Sequence, residues 1–192
     1  MSSDLISFLV YHGTDSSLFK SIKSNNFTTS KGDDHWLGEG IYFFTDGIST
    51  SAKKNAENWA IAAAWNKTSK KHNYARFCII SAEIRCSEAD FWDLSTENGL
   101  KEFNYAREEI LKKISSKYNL ASNEVYRDSD LIDVVCKKMN YMVLKSNFYI
   151  KFKKERLENI KSRIPNTSVI NARTNSVVAL SSINLVLEGE IK

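Results

Sequence analysis

Apolar residues recur along the chain with two periods, which predict strands and helices in alternation. Continuous or alternating apolar runs predict strands at residues 6–12 (ISFLVYH), 40–44 (GIYFF) and 75–86 (ARFCIISAEIRC). Apolar positions three and four apart predict helices at residues 14–27 and in the alanine-rich stretch 49–67. The small side chains of the second helix, with Ala52, Ala56, Trp59, Ala60 and Ala63 on one stripe, indicate close packing against a sheet.

The second half of the chain follows a different order. Apolar spacings of three and four predict helices across residues 97–146, and short apolar runs predict closing strands at 168–172, 176–180 and 183–191. Strands at both chain ends with helices between them predict an α+β fold in which the terminal strands share a sheet. We expect one domain over residues 1–192, with a basic, helical insertion at about 97–163.

Length and composition limit the classes of function. The chain has 192 residues, 42% of them hydrophobic, and a mean hydropathy of −0.37, which suits one well-packed domain. No apolar stretch reaches the ~20 residues of a membrane span, and no basic lead-in precedes Asp4, so we expect a cytoplasmic protein without membrane contact. Three cysteines without a C-x-x-C pair predict buried thiols, and no metal site is expected.

Charge becomes informative once it is located along the chain. Residues 101–163 hold 15 Lys+Arg against 9 Asp+Glu, although the whole chain has a net charge of only +4. Within residues 145–163, seven basic residues against two acidic ones are interleaved with Phe148, Tyr149 and Phe152. This pattern is typical of single-stranded nucleic-acid contact, and equally of a solvated helix face with an apolar seam.

Two short motifs carry the candidate chemistry. In the first, the predicted strand of residues 6–12 ends on His12, followed by Gly13 and Thr14. A glycine allows a ligand to approach the main chain, where a carboxamide can pair with an N–H and a C=O while the imidazole binds a hydroxyl. In the second, WLGEGIYFF (36–44), a glycine-flanked strand supplies Tyr42, which could stack on a flat heterocycle.

Together, YHGT (11–14), WLGEGIYFF (36–44) and the alanine-rich helix containing ENWA (57–60) resemble the NAD-binding half of the ADP-ribosyltransferase superfamily, on its diphtheria-toxin and poly(ADP-ribose) polymerase side. The resemblance covers roughly residues 8–65. It implies a split β-sheet core with a helical insertion, and NAD as substrate without a metal.

The resemblance also implies a set of site residues. His12 would bind the ribose hydroxyl of NAD, Gly13 would hold the nicotinamide carboxamide through its main chain, and Thr14 would help to fix that turn. Tyr42 would stack on nicotinamide, while Gly38 and Gly40 would shape the approach to it. Trp36 or Phe43 could pack around the ring, and Trp36 could equally be a core anchor.

The sequence departs from the family pattern at one position. These enzymes commonly place a glutamate near the start of a late strand, which the alignment of patterns puts at Asn175 or Ser176, and neither is acidic. Asn175, Ser176 or a distant carboxylate could replace the acid, and Ser176 is the candidate catalytic residue. Glu188 and Glu190 more simply belong to an edge strand. Arg173 could contact the acceptor or a phosphate, although a surface arginine is the simpler interpretation. Family members without the acid tend to transfer a single ADP-ribose.

The expected function is therefore mono-ADP-ribosyl transfer from NAD to a macromolecule, with RNA or other nucleic acid favoured as acceptor. Small size and the family resemblance suggest a toxin module of a toxin–antitoxin or antiphage system, with an antitoxin protein as a possible partner. The alternatives are a protein acceptor, a catalytically inactive NAD- or RNA-binding module, an NAD glycohydrolase and an RNA 2′-phosphotransferase.

Overall fold

A mixed β-sheet of seven strands organises the molecule. The computed structural model describes residues 4–32, 35–49, 51–117 and 126–191. The strands in chain order are β1 Leu5–Asp15, β2 Ile41–Thr45, β3 Trp65–Asn66, β4 Lys71–His72, β5 Arg76–Ser87, β6 Phe91–Asp93, β7 Val143–Phe148, β8 Thr167–Ala172 and β9 Asn184–Glu190. The helices are α1 Phe19–Asn25, α2 Ala52–Ala64, α3 Glu97–Lys117, α4 Asp128–Met139 and α5 Lys153–Leu157.

The strand order in the sheet is β6-β7-β8-β2-β1-β5-β9. Only the β6–β7 pair is parallel; the other neighbours in this sheet are antiparallel, and β3 and β4 form a separate small hairpin. The first strand thus lies in the middle and the last at an edge, beside β5. This confirms the α+β class and the expectation that the terminal strands share one sheet.

Apolar side chains cover both faces of the sheet. One face packs against α2 together with Phe103 of α3 and Leu131 of α4, and the other packs against the α1 segment through Phe27. The side chains of β5 alternate between these faces as predicted. Phe77 and Ile79 lie on the α2 side, and on the α1 side lie Cys78, Ile80, Ala82, Ile84 and Cys86. Because both faces are covered, the strands in the middle of the sheet are rich in apolar residues.

The alanine stripe of α2 lies flat on the sheet. Ala52, Ala56, Ala60 and Ala64 are buried at a spacing of four residues, which confirms the prediction for the first three. Trp59, however, is 40% exposed, and Ala63 is also exposed, so these two leave the buried stripe. Helix α2 therefore lies close to the sheet along a row of methyl groups, and beside this row the buried Asn55 donates a hydrogen bond to the Thr167 hydroxyl of β8.

Two predictions of secondary structure are wrong. Residues 143–146 were expected to be helical but belong to β7, because a short apolar run such as YMVL fits either period and β6 and β8 supply hydrogen-bonding edges on both sides. The expected strand at 176–180 instead overlaps the 3₁₀ helix Asn175–Val177, and Val178 makes a single bridge to Ile84. The turn at Leu180–Ser182, which leads into β9, leaves no length for a ladder.

Three further findings bear on the class of protein. Cys78, Cys86 and Cys136 are buried free thiols, as predicted, and burial raises the pKa of each, to about 11, 11 and 12. Within the described ranges, no helix is long and apolar enough to cross a membrane. Those same ranges contain no group of three His, Cys, Asp or Glu side chains arranged to hold a metal ion.

Candidate active site

The site begins where β1 and β2 separate. Strand β1 pairs with β5 from Leu5 to Asp15, but with β2 its only pair is Tyr11 with Phe44. The hydroxyl of Thr45, on β2, donates to the carbonyl of Leu9 at 3.1 Å, which shows that the peptide group of Leu9 faces β2. Since peptide groups alternate along a strand, that of Gly13 also faces the β2 side, beyond the last pair.

A cavity of about 490 Å³ opens at this separation. Its volume lies within the ~300–1,000 Å³ of small-molecule sites. Five residues singled out from the sequence line it: His12, Gly13, Trp36, Tyr42 and Phe43. The other lining residues are Thr28, Ser30, His35, Ile41, Phe44, Trp59, Ile150 and Val169. The two motifs, 30 residues apart, therefore meet around one cavity.

His12 fills the gap between the two strands with its side chain. Its Nδ1 lies 2.8 Å from the carbonyl oxygen of Tyr42, and its ring packs edge-on against Phe27 and Phe43. Burial lowers the pKa of His12, against a smaller opposing effect of that hydrogen bond, so the imidazole is neutral at pH 7. Because a carbonyl can only accept, Nδ1 carries the proton and Nε2 is left as a hydrogen-bond acceptor.

Tyr42 lines the cavity, and its hydroxyl is hydrogen-bonded to the loop that precedes β2. The hydroxyl accepts from the N–H of Leu37 at 2.9 Å and donates to the carbonyl of Gly38 at 2.7 Å. Burial raises the pKa of Tyr42 to about 12, which keeps the phenol protonated at neutral pH. With both of these hydrogen bonds made inside the protein, Tyr42 offers a stacking surface rather than an acid or base.

An ion pair fixes the loop that holds Tyr42. Arg173 donates to the carbonyls of Leu37 and Glu39 and to the carboxylate of Asp133 on α4. Asp133 in turn accepts from the N–H of Glu39 at 3.0 Å. The sequence left Arg173 either as a surface arginine or as a contact to the acceptor or a phosphate, and its guanidinium, with a side chain only 14% exposed, instead ties α4 and the segment after β8 to residues 37–39. We refer to Arg173, Asp133 and residues 37–39 as the loop clamp.

The glycines of both motifs are explained by packing. A Cβ on Gly13 would lie 2.0 Å from the carbonyl oxygen of Ala56, so α2 can approach β1 only at a glycine. Gly38 has a φ of +74° and Gly40 one of +149°, and a Cβ at these positions would meet the side chains of Asp133 and Asn171 respectively. Gly38 and Gly40 therefore shape the loop beside Tyr42 without lining the cavity themselves.

Besides Gly38 and Gly40, two predicted site residues do not line the cavity. Thr14 follows Gly13 in β1, pairs with Cys78 and is not among the lining residues. Ser176 is exposed in the 3₁₀ helix, where its N–H and its hydroxyl contact the Thr174 hydroxyl at 3.3 Å. The late strand that pairs with β2 is β8, not the expected strand at 176–180. Its first residue is Thr167, whose hydroxyl accepts a hydrogen bond from Asn55 at 2.9 Å.

Acidic groups are placed elsewhere. None of the described residues that line the cavity is Asp or Glu. Glu188 and Glu190 lie on the edge strand β9, as expected, where Glu188 is 3.6 Å from Arg76. The lining that the structure describes therefore carries no formal negative charge.

Sequence reasoning missed Asn171, a buried residue next to the site. It pairs with Tyr42 across β2 and β8 and is fully buried, and within the described part of the chain its amide nitrogen and oxygen have no hydrogen-bond partner of good geometry. A buried amide without a partner costs free energy and is uncommon in native proteins. No sequence pattern marked it, because its importance comes from its register with Tyr42.

Comparison with known proteins adds little to this geometry. No protein-family model matches the chain. A stretch of 88 residues is 36% identical to part of the uncharacterized protein MJ0359 of Methanocaldococcus jannaschii. The match takes in 45% of this chain and 36% of the length of that protein. Since the name of this relative assigns it no activity, the chemistry of the cavity has to be argued from its own residues.

Proposed function

We propose that this protein is a mono-ADP-ribosyltransferase that uses NAD to modify a macromolecular acceptor. The observation that carries the proposal is that His12, Gly13 and Tyr42 line one cavity. Together they can offer it an imidazole whose Nε2 is left as an acceptor, a strand peptide group and an aromatic ring. A neutral imidazole acceptor suits a ribose hydroxyl, a strand peptide group suits a carboxamide, and an aromatic face suits the nicotinamide ring.

The order of the strands supports the same proposal. The two motif strands, β1 and β2, are neighbours, and they separate after Tyr11, so that His12 is the first residue beyond their last pair. A split at this point is what the resemblance to the ADP-ribosyltransferase superfamily implies. Within this proposal the ADP-ribosyltransferase core comprises the sheet with α2. Residues 145–148 of the basic segment belong to β7 and thus to that sheet, so only residues 149–163 are an addition to it.

The proposed reaction needs few protein groups. The bond between the nicotinamide nitrogen and C1′ of the ribose breaks, nicotinamide leaves with the electron pair, and a nucleophilic atom of the acceptor forms a bond to C1′ and releases its proton. The protein orients the dinucleotide, and its fixed dipoles stabilise charge that develops in the transition state. The absence of an acidic residue among the described lining favours one transfer over chain building.

A radiolabelled-NAD assay tests this function directly. The wild-type protein should transfer label from adenylate-labelled NAD to RNA, DNA or protein of a cell lysate, and should release free nicotinamide. His12→Ala should abolish both, whereas His72→Ala, at an exposed position of β4, should leave both unchanged. Wild-type protein that neither releases nicotinamide nor labels any fraction refutes the proposal, and release without labelling would indicate a glycohydrolase.

The uncharged lining favours a second candidate, a catalytically inactive module that binds NAD or RNA. Such a module would keep the cavity and lack turnover. Titration calorimetry distinguishes the two, because heat of NAD binding without nicotinamide release supports only the module.

The proposed biological role is that of a toxin with a neutralising partner. Modification of RNA, or of a protein target, would then inhibit growth of the host. Induced expression should slow growth in the wild type but not in His12→Ala. Mass spectrometry of total RNA and protein should find the added mass of one ADP-ribose, and unmodified RNA and protein in growth-arrested cells would contradict this role.

A further inference from the structure

Two tryptophans form an exposed corner at one side of the cavity. Trp36 and Trp59 both line the cavity, and they are 42% and 40% exposed. Their ring centroids lie 6.3 Å apart, and the ring planes meet at 73°. A planar ring placed in this corner would contact the face of one indole and the edge of the other, an arrangement that aromatic rings favour.

Aromatic neighbours support the corner from behind. The ring of Phe148 lies 4.8 Å from that of Trp36, and the ring of Phe44 lies 6.3 Å from that of Trp59. Trp36 also directly precedes Leu37, whose N–H is bonded to the Tyr42 hydroxyl within the loop clamp. The corner is therefore held at a fixed position relative to Tyr42.

A second depression, of about 650 Å³, lies on the outer side of Trp36. His35 and Trp36 line both this depression and the cavity, so Trp36 is a wall between them. Its other lining residues are Arg127, Asp128, Ser129, Phe148 and Tyr149, and the carboxylate of Asp128 lies 3.7 Å from Arg107. Phe148 and Tyr149 belong to the segment 145–163, which contains seven basic residues and two acidic ones.

From this geometry we propose that the Trp36–Trp59 corner stacks a nucleobase of a single-stranded nucleic-acid acceptor. The strand would run through the second depression, one base would turn onto the corner beside the cavity, and the phosphates beyond the depression would reach the basic residues that follow Tyr149 in the chain. Aromatic rings next to a positively charged groove are the usual combination for single-stranded binding. The inference rests on the proposed transfer reaction, since it places the acceptor next to the ribose that is transferred.

Phe152 limits how far the stacking surface extends. It was grouped with Phe148 and Tyr149 in the sequence, but it is 6% exposed and packs 6.2 Å from Phe44, inside the core. Stacking is therefore confined to the two tryptophans, with Phe148 as their support.

Binding of labelled oligonucleotides tests the corner without requiring catalysis. Fluorescence anisotropy with a short single-stranded RNA measures the dissociation constant of each variant. Trp36→Ala and Trp59→Ala should each raise it by about 5- to 150-fold, the usual range for loss of one stacked base. Trp36→Phe, which keeps an aromatic ring, should recover part of the loss. Trp65→Ala is the matched control, because Trp65 is 48% exposed and packs on His72 outside the cavity.

Each result decides the inference. Equal binding by the wild type and both alanine variants overturns it, provided thermal unfolding shows all of them folded. If ADP-ribose displaces the labelled RNA from the wild-type protein, the corner holds the adenine of the dinucleotide and the inference is wrong. RNA binding that depends on Trp36 in a protein without NAD turnover would uphold the corner and refute the transfer reaction instead.

Discussion

Arg173→Met should destabilise the protein by about 2–4 kcal/mol, because it removes the central donor of the loop clamp. Methionine has a similar length and no donors. It would leave the carbonyls of Leu37 and Glu39 and the carboxylate of Asp133 without their charged partner. A hydrogen bond to a charged group contributes ~1.5–3 kcal/mol, but the three are not additive, since the Asp133 side chain is 32% exposed and water can partly replace the lost donor.

A double-mutant cycle isolates the interaction between Arg173 and Asp133. Urea unfolding of Arg173→Met, Asp133→Asn and the double variant should give a coupling free energy of about 1–3 kcal/mol. Lys54 and Glu57, an exposed pair at 2.9 Å on α2, provide the matched control, for which we expect no more than ~0.5 kcal/mol.

A coupling energy at the clamp no larger than that of the control pair would refute this reasoning. It would mean that Arg173 and Asp133 each bind residues 37–39 without stabilising each other. A changed denaturant slope in one variant would instead indicate an altered unfolded state, and the cycle would then be repeated by thermal unfolding.

Two other changes test the packing and the protonation state of the site. Gly13→Ala should lower the free energy of unfolding by about 1–3 kcal/mol, since its Cβ would overlap the Ala56 carbonyl. Gly32→Ala, whose Cβ would lie 3.6 Å from Nε2 of His35, should change it by less than ~0.5 kcal/mol. Equal effects of the two substitutions in urea unfolding would contradict the packing of α2 on β1. Burial lowers the pKa of His12 from 6.5, so below about pH 6.5 the unfolded state binds a proton more readily than the folded state does. The His12 contribution to the free energy of unfolding should therefore be constant above about pH 6.5 and fall below it. His12→Gln should reduce that fall and His72→Gln should not; the opposite result would show a protonated His12.

The central part of the fold could be predicted because its patterns are long and local. Strand β5 alternates over twelve residues, and the alanine spacing of α2 repeats every four residues. The run YMVL before β7 was too short to distinguish a helix from a strand, and only the neighbouring strands β6 and β8 decide the matter. Short apolar runs are resolved by tertiary pairing, which the sequence does not display.

The site was predictable to the extent that its residues fall in two short motifs. The expectation that the first strand ends on His12 was wrong, because β1 continues to Asp15 along its partner β5. His12, Gly13 and Tyr42 belong to two motifs, and antiparallel pairing of β1 with β2 brings those motifs together. Asn171 and Arg173 could not be found in this way. They come near Tyr42 through the register of β2 with β8, across about 130 residues of sequence, and register is fixed by pairing rather than by composition.

The charge state of the cavity bears on which acceptor the proposed reaction would use. His12 is neutral, the Tyr42 phenol is protonated, and the described lining has no carboxylate. Positive charge on the ribose in the transition state would then be met only by dipoles and by the aromatic face of Tyr42. An acceptor that brings its own phosphates would supply the missing negative charge next to the reacting carbon. In that case nicotinamide release should be slow in water alone and should rise when single-stranded nucleic acid is added, a dependence that a protein acceptor without phosphates would not produce.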